Sequence, residues 1–135
     1  MIKFHHIGIA CADIGLCKNF IKSVTDVADE SEIIFDENQN ASLCLLTLRS
    51  GVRLELVSGP MVADLVKKGI TYYHTCYSVP DIEKAISLLK KALPGETGGS
   101  VTTISEIKPG KLFNGQRAVF LYTPIGIVEL LENKQ

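Results

Sequence analysis

The chain has no charge of one sign to spare: 14 Lys plus Arg stand against 15 Asp plus Glu, a formal net charge of −1 over 135 residues. Without a positive field to hold a polyanion or an anionic bilayer surface, nucleic acid is excluded as a leading partner. No apolar run approaches the roughly 20 residues that cross a bilayer. His5, His6 and Asp13 interrupt the N-terminal stretch where a signal peptide needs continuous hydrophobicity. The expectation is a cytoplasmic protein that engages no membrane. Cysteine is sparse and unpatterned: Cys11, Cys17, Cys44 and Cys76 lie in apolar segments without C-x-x-C or zinc-finger spacing. They read as small buried hydrophobes, with Cys76 set apart because it lies two residues from His74. Length is the last limit, since a chain of this size at 46% hydrophobic residues buries one core but not two ordinary ones.

What is present is said twice. HHIGIACADIGLCKNFIK, residues 5–22, lies over YHTCYSVPDIEKAISLLK, residues 73–90, without a gap, matching His6 to His74, Asp13 to Asp81, Ile14 to Ile82 and Lys22 to Lys90. RLELV, residues 53–57, lies over IVELL, residues 127–131, and matches Glu55 to Glu129 once six more residues are allowed in a loop. Two copies mean two similar supersecondary units, because stacked repeat arrays need three or more.

Each copy opens with an apolar run rich in aromatic and β-branched residues, KFHHIGIA or TYYHTCYSV, which predicts a strand. Asp13 and Asp81 then suit helix N-caps, where a carboxylate accepts from an orphan amide. The helices follow, with Cys17, Phe20, Ile21 and Val24 as the predicted buried stripe of the first and Ile82, Ala85, Ile86 and Leu89 as that of the second. SEIIFDE, ASLCLLTL and VRLELV, parted by NQN and RSG, predict a three-stranded antiparallel meander. The second copy reads as the loop PGETGGS, a strand VTTISEI, the loop PGKLFNGQ, and the strands RAVFLY and GIVELLE joined by TPI. MVADLVKKG between the copies predicts one or two helical turns ended by Gly69. The fold class is therefore α+β, one domain of two tandem βαβββ modules, residues 1–59 and 70–135, joined by a short helical linker.

Strand alternation tests where the repeated polar residues point. His6 shares a face with Phe4, Gly8 and Ala10, opposite Ile7 and Ile9, which go with the helix stripe. Glu55 shares a face with Arg53 and Val57, opposite Leu54 and Leu56, and Glu129 stands opposite Val128 and Leu130. His74 goes with Tyr72 and Cys76. One His and one Glu per copy thus leave the face that the helices do not cover, whereas His5 falls on the other face and reads as structural or exposed. An ionised glutamate between leucines is costly to bury unless paired or metal-bound, and here it occurs twice. Two imidazoles and two carboxylates suit a borderline divalent ion such as Zn, Ni, Co, Mn or Fe.

HHIGIA before an amphipathic helix, LEL closing the first copy, YHTCYSVPDIEKAI opening the second and GIVELLE near the end together resemble the vicinal oxygen chelate superfamily. That superfamily includes glyoxalase I, methylmalonyl-CoA epimerase, extradiol dioxygenases, and the fosfomycin and bleomycin resistance proteins. The resemblance covers nearly the whole chain. It implies an incomplete barrel around a metal site with His6, Glu55, His74 and Glu129 as ligands, and a homodimer. Four competent ligands favour the isomerase-like branches over those that typically use two His and one carboxylate. HHIGIA and HTCYSV with the following D-I-E helix are most similar to the epimerase-like group, although the epimerase often has Gln where Glu55 stands.

The implied function is divalent-metal-dependent removal of a proton next to a carbonyl, as in an acyl-CoA epimerase, with Glu129 and then Glu55 as the base and an acyl thioester as a small-molecule substrate. The alternatives are a glyoxalase I-like lyase and a non-catalytic small-molecule or antibiotic-binding resistance protein. FDENQNASLCLL resembles a D-x-x-Q pattern in epimerase-like members, which makes Gln39 a substrate-binding candidate; Asn38, Gln39 and Asn40 also read as a polar hairpin turn. Lys108, Lys111 and Arg117 offer cations for a phosphate or carboxylate, or are ordinary solvated charges.

Overall fold

The computed structural model describes residues 1–92 and 100–134. It is mixed α+β, of the βαβββ kind expected. The described residues fall into two compact units, His6–Tyr73, and Met1–His5 with His74–Gln135. Among them no helix is long and apolar enough to cross a membrane.

The first unit runs β1 (Lys3–Ala10), α1 (Ile14–Val24), β2 (Val27–Glu30), β3 (Ile34–Asp36), β4 (Ala41–Leu48) and β5 (Arg53–Ser58), then a 3-10 turn and the short α2 (Ala63–Lys67). Gly69, at φ +72°, follows α2, a conformation that glycine adopts without the Cβ clash of other residues. Its sheet has the order β2-β4-β5-β1, with β3 also paired to β4. β4 is antiparallel to both β3 and β5, and β5 closes the unit by lying parallel to β1. Asp13 caps α1 by accepting from the Leu16 amide at 3.1 Å. Cys11, Ile14, Cys44, Leu46 and Leu56 form the core between helix and sheet, joined by Ile9, Cys17 and Ile21.

Two expectations for this unit are corrected. β2 was not foreseen and β3 is shorter than SEIIFDE; VADE is brief, half acidic and shifted in register between Val27 and Asp29, so neither propensity nor alternation marks it as a strand. On α1, Phe20 is 64% and Val24 65% exposed. The row facing the core is instead the buried Ile14 with the half-buried Cys17 and Ile21, while Leu16, Phe20 and Val24 form a second apolar row facing outward. A helix with two such rows satisfies the 3.6-residue period in either phase, and periodicity alone does not choose between them.

The second unit repeats the plan with β6 (Tyr72–Val79), α3 (Ile82–Lys91), β7 (Thr102–Thr103), β8 (Lys108–Pro109), β9 (Arg117–Thr123) and β10 (Gly126–Glu132), in the sheet order β6-β10-β9-β7 with β8 on β9. Again the last strand lies parallel to the first, β10 on β6. Asp81 caps α3 through the Lys84 amide at 2.9 Å, and Ile82, Ala85, Val119, Leu121, Val128 and Leu130 form the core with Ile86 and Leu89 packed against it. The expected loop PGETGGS lies, apart from Ser100, outside the described residues. The expected strand VTTISEI shrinks to two residues, because Ser105 bends the chain out of the ladder and its hydroxyl accepts from the Phe120 amide in place of a backbone carbonyl.

Of the cysteines, Cys11, Cys44 and Cys76 are buried and Cys17 is half-buried. Burial, then the neighbouring Cys17, pushes the Cys11 thiol up to about 12, so it is protonated and inert at neutral pH. Arg117 is not a free surface cation. Its Nε and Nη2 donate to the two Glu132 oxygens at 3.0 and 2.8 Å, and Nη1 and Nη2 donate to Glu83 at 3.1 and 3.0 Å. Glu132, in turn, accepts from the Ile82 amide at 3.0 Å, tying the end of β10 to the start of β9 and the first turn of α3. The Arg117 guanidinium, aided by the Ile82 amide, outweighs burial and holds the Glu132 carboxyl down at about 2.

Because this folded value lies below the unfolded one of about 4.3, the stabilisation is complete above that pH and is lost as pH falls toward about 2. Glu132→Gln should therefore lower stability at pH 7 by about 1–3 kcal/mol and flatten the acid limb of a denaturant-midpoint profile between roughly pH 4.5 and 2. The helix correction is tested by a pair of variants. Ile21→Ala should cost about 1–2 kcal/mol in urea unfolding, and Phe20→Ala less than about 0.5 kcal/mol.

Candidate functional site

Each unit carries a buried His–Glu pair on the face of its sheet away from the helix. In the first, Gly8 of β1 is the cross-strand partner of Glu55 on β5, and His6, two residues before Gly8, shares its face. The His6 Nε2 lies 3.7 Å from a Glu55 carboxylate oxygen, and both side chains are fully buried. In the second, Cys76 of β6 is the partner of Glu129 on β10, with His74 two residues before Cys76. The His74 Nε2 lies 3.3 Å from a Glu129 oxygen, again with both side chains buried. The two pairs are thus built at the same register, each Glu opposite the residue two beyond its His. A parallel pair of strands makes this arrangement natural, because it brings the middle of the first strand beside the middle of the last.

The surroundings differ. Phe120 of β9 is the cross-strand partner of Glu129 and stands edge-on to the His74 ring at 5.3 Å, which fixes the imidazole's plane. Leu45 of β4 holds the equivalent place beside Glu55. Phe120 went unremarked in the sequence, although alternation along RAVFLY against GIVELLE carries the signal once the hairpin register is known. Cys76 is fully buried, its thiol donating weakly to the Tyr77 carbonyl at 4.0 Å. His5 packs edge-on against Phe113 at 5.5 Å, a structural role consistent with its opposite face.

Gln39 sits in the turn between β3 and β4 and is not the solvated hairpin residue that NQN suggests, since it is only 8% exposed. Its side-chain amide donates to a carboxylate oxygen of the buried Asp36 at 3.4 Å, and its own amide to the Asp36 carbonyl at 3.2 Å. The other Asp36 oxygen accepts from the Asn38 amide at 2.9 Å. The Gln39 carbonyl oxygen is buried without a hydrogen-bond donor. Asp36 and Gln39 therefore form one buried polar turn, and Asn40 leaves it at φ +50°.

The donor chemistry of the pairs can be tested against a divalent ion. Two ligand atoms bound to one ion at about 2.0–2.2 Å stand about 2.8–3.6 Å apart for octahedral to tetrahedral angles. The His74–Glu129 separation of 3.3 Å falls within that range and the His6–Glu55 separation of 3.7 Å just beyond its upper end. Imidazole nitrogen with carboxylate oxygen is a donor set that suits first-row divalent metals, and a cation would offset the cost of burying the carboxylates. The residues fit the group.

The comparisons with known proteins agree with this plan. No curated protein sequence matches the chain. Among solved structures, methylmalonyl-CoA epimerase from Mycobacterium tuberculosis superposes with a TM-score of 0.75 at 18% identity, covering 98% of this chain and 89% of that one. Methylmalonyl-CoA epimerase from Streptomyces coelicolor, solved in complex with 2-nitronate-propionyl-CoA, gives 0.68 at 21% identity, covering 97% and 94%. Glyoxalase I from Zea mays gives 0.59 at 17%, covering 98% of this chain and 43% of that one. At these identities the likeness is one of fold. The family model for the glyoxalase/bleomycin resistance protein/dioxygenase superfamily matches residues 5–120, and the chain, with its duplicated βαβββ plan and its two His–Glu pairs, belongs to that superfamily.

Proposed function

We propose that the protein is a divalent-metal-dependent isomerase of the epimerase kind, in which His6, Glu55, His74 and Glu129 together hold one ion. The reading rests on one observation, the pair of buried His–Glu sets at matched register in the two units. When bound, a divalent ion polarises a substrate carbonyl and stabilises the negative charge that develops as the neighbouring proton leaves. The chain's own residues supply the rest. His6 and His74 present Nε2 from strands whose positions the sheets fix, so little reorganisation is needed at the moment of reaction. Glu129 is the first base, accepting the α-proton on a carboxylate oxygen, and Glu55 is the second candidate; a group on one face of the planar carbon cannot serve the other, so inversion takes one carboxylate to remove the proton and the other to deliver one. Phe120 keeps the His74 ring in one orientation and adds an apolar wall beside Glu129. Gln39 takes the part of a substrate-binding residue through its buried carbonyl oxygen.

An acyl thioester is the substrate class favoured, because the two epimerase folds superpose more closely than glyoxalase I. The alternatives are lactoylglutathione lyase-like chemistry on a thiol hemithioacetal and sequestration of a small molecule without reaction. The same reading places the protein in the cytoplasm as a homodimer, which sedimentation equilibrium tests directly.

Purified protein loaded in turn with Zn, Ni, Co, Mn and Fe(II) should retain one equivalent of metal per chain. Two equivalents, or none, would contradict a shared site. Glu129→Gln should keep metal and lose at least about 100-fold in rate, the usual worth of a general base. In deuterated water the metal-loaded protein should exchange the α-proton of a 2-substituted acyl thioester; exchange confined to a hemithioacetal would favour the lyase, and no exchange with tight binding would favour the sequestering role.

A further inference from the structure

The outward row of α1 has a composition that its place in the repeat makes informative. Leu16, Phe20 and Val24 are 69%, 64% and 65% exposed, and their spacing of four residues aligns them as one continuous ridge. Three large apolar side chains in a row on solvent differ from the scattered ones that any surface carries. No charge interrupts this side of the helix. The charged residues of α1 are Lys18 and Lys22, and both reach Glu30 of β2, at 3.2 and 2.7 Å. Beside the ridge lie Gly15, Asn19 and Ser23, short and uncharged. The Ser23 hydroxyl donates to the Phe20 carbonyl at 2.6 Å, so covering it strands no donor.

The second unit shows that the fold does not call for such a row. In the gapless alignment of the two copies, continued by two residues, Leu16 answers to Lys84, Phe20 to Leu88 and Val24 to Ala92, while Gly15 and Ser23 answer to Glu83 and Lys91. These residues of α3 are exposed as well. The same helix over the same kind of sheet thus meets water with charges in one unit and with an apolar ridge in the other.

A ridge of residues four apart packs into the groove beside the same ridge of an identical helix, the two crossing at about −50°. Ridge and groove lie next to each other on α1, so the face complements itself about a two-fold axis, as the contact of a homodimer must. Covering the six ridge side chains of two copies removes roughly 400 Å² of apolar surface from water. A minimal homodimer contact buries about 1,000 Å², of which about 65% is apolar, so the ridge supplies some two thirds of that apolar share. Such an area suits a reversible dimer and not an obligate one.

We infer that the outer face of α1 docks on the same face of a second copy of the chain, with Phe20 at the centre of a reversible two-fold contact. The inference rests on the proposed reading for the homodimer alone and is independent of the metal and the reaction.

Sedimentation equilibrium of the full chain over a wide concentration range tests it. A monomer–dimer equilibrium is expected with a Kd on the order of 10–100 μM, insensitive to salt because no charge lies in the contact. Phe20→Lys should weaken it at least about 10-fold, since the two-fold axis sets each substitution against its own copy. Leu88→Lys, the counterpart on α3, should leave it unchanged. As a second measurement that does not depend on those variants, Asn19→Cys should be trapped as a disulfide-linked dimer under mild oxidation, whereas Ser87→Cys on α3 and the wild type should not. A monomer at every concentration overturns the inference and the homodimer together. A dimer that Phe20→Lys leaves intact, or that traps Ser87→Cys as readily as Asn19→Cys, keeps the homodimer and overturns this face, so the two failures are separable.

Discussion

A carboxylate buried in the middle of a strand is tolerated only where something offsets the loss of its hydration, and this chain imposes that condition twice. Glu55 precedes the core residue Leu56, and Glu129 stands between the core residues Val128 and Leu130, all on the opposite face, so neither carboxylate can turn to that face without disrupting the core. In each unit a histidine of the first strand stands beside the carboxylate, His6 Nε2 at 3.7 Å from Glu55 and His74 Nε2 at 3.3 Å from Glu129. That requires the last strand to lie parallel to the first, which dictates a crossover made of a helix and a hairpin rather than a simple meander. Topology and the position of the polar residues thus go together: the parallel pairing of first and last strand is what brings each His beside its Glu.

On this shared frame the two units have diverged where the frame leaves freedom. Gly8 opposite Glu55 answers to Cys76 opposite Glu129, Leu45 to Phe120, and Arg53 to Ile127. The first unit sets a cation and a buried glycine about its pair, the second a thiol and an aromatic edge. Ser58 ends β5 where Glu132 ends β10, and in the second unit that glutamate ties strand, helix and Arg117 together. Such differences bear on what each half presents to a ligand and leave the backbone plan alone.

Much of this was legible in the sequence, for physical reasons that name its limits. A period of two sends His6 and Gly8, or Glu55 and Arg53, to one face without reference to any other strand, and the aspartate caps are equally local. β2 was hidden because Val27–Glu30 has no alternation and little strand propensity; its pairing with β4 is a tertiary fact. The phase of α1 was hidden because Phe20 and Val24 are as apolar as Cys17 and Ile21, and only the sheet beneath decides which row is covered. Arg117 gave no sign of its partners, which lie 15 and 34 residues away in the chain. Gln39 looked solvated because its company in NQN is polar, whereas the buried Asp36 beneath it draws it inward.

The parallel closure has a kinetic corollary. β4 and β5 are joined by a tight turn at Arg49–Gly51 and can zip together locally, as can β9 and β10. The contacts of β1 with β5 and of β6 with β10 span some fifty residues each and carry the larger loop-closure cost, so they belong among the last to form. Each His–Glu pair straddles such a late contact. Each carboxylate therefore meets its histidine only as its unit completes its assembly, and on a chain still emerging from the ribosome it keeps its hydration until the last strand of that unit has docked.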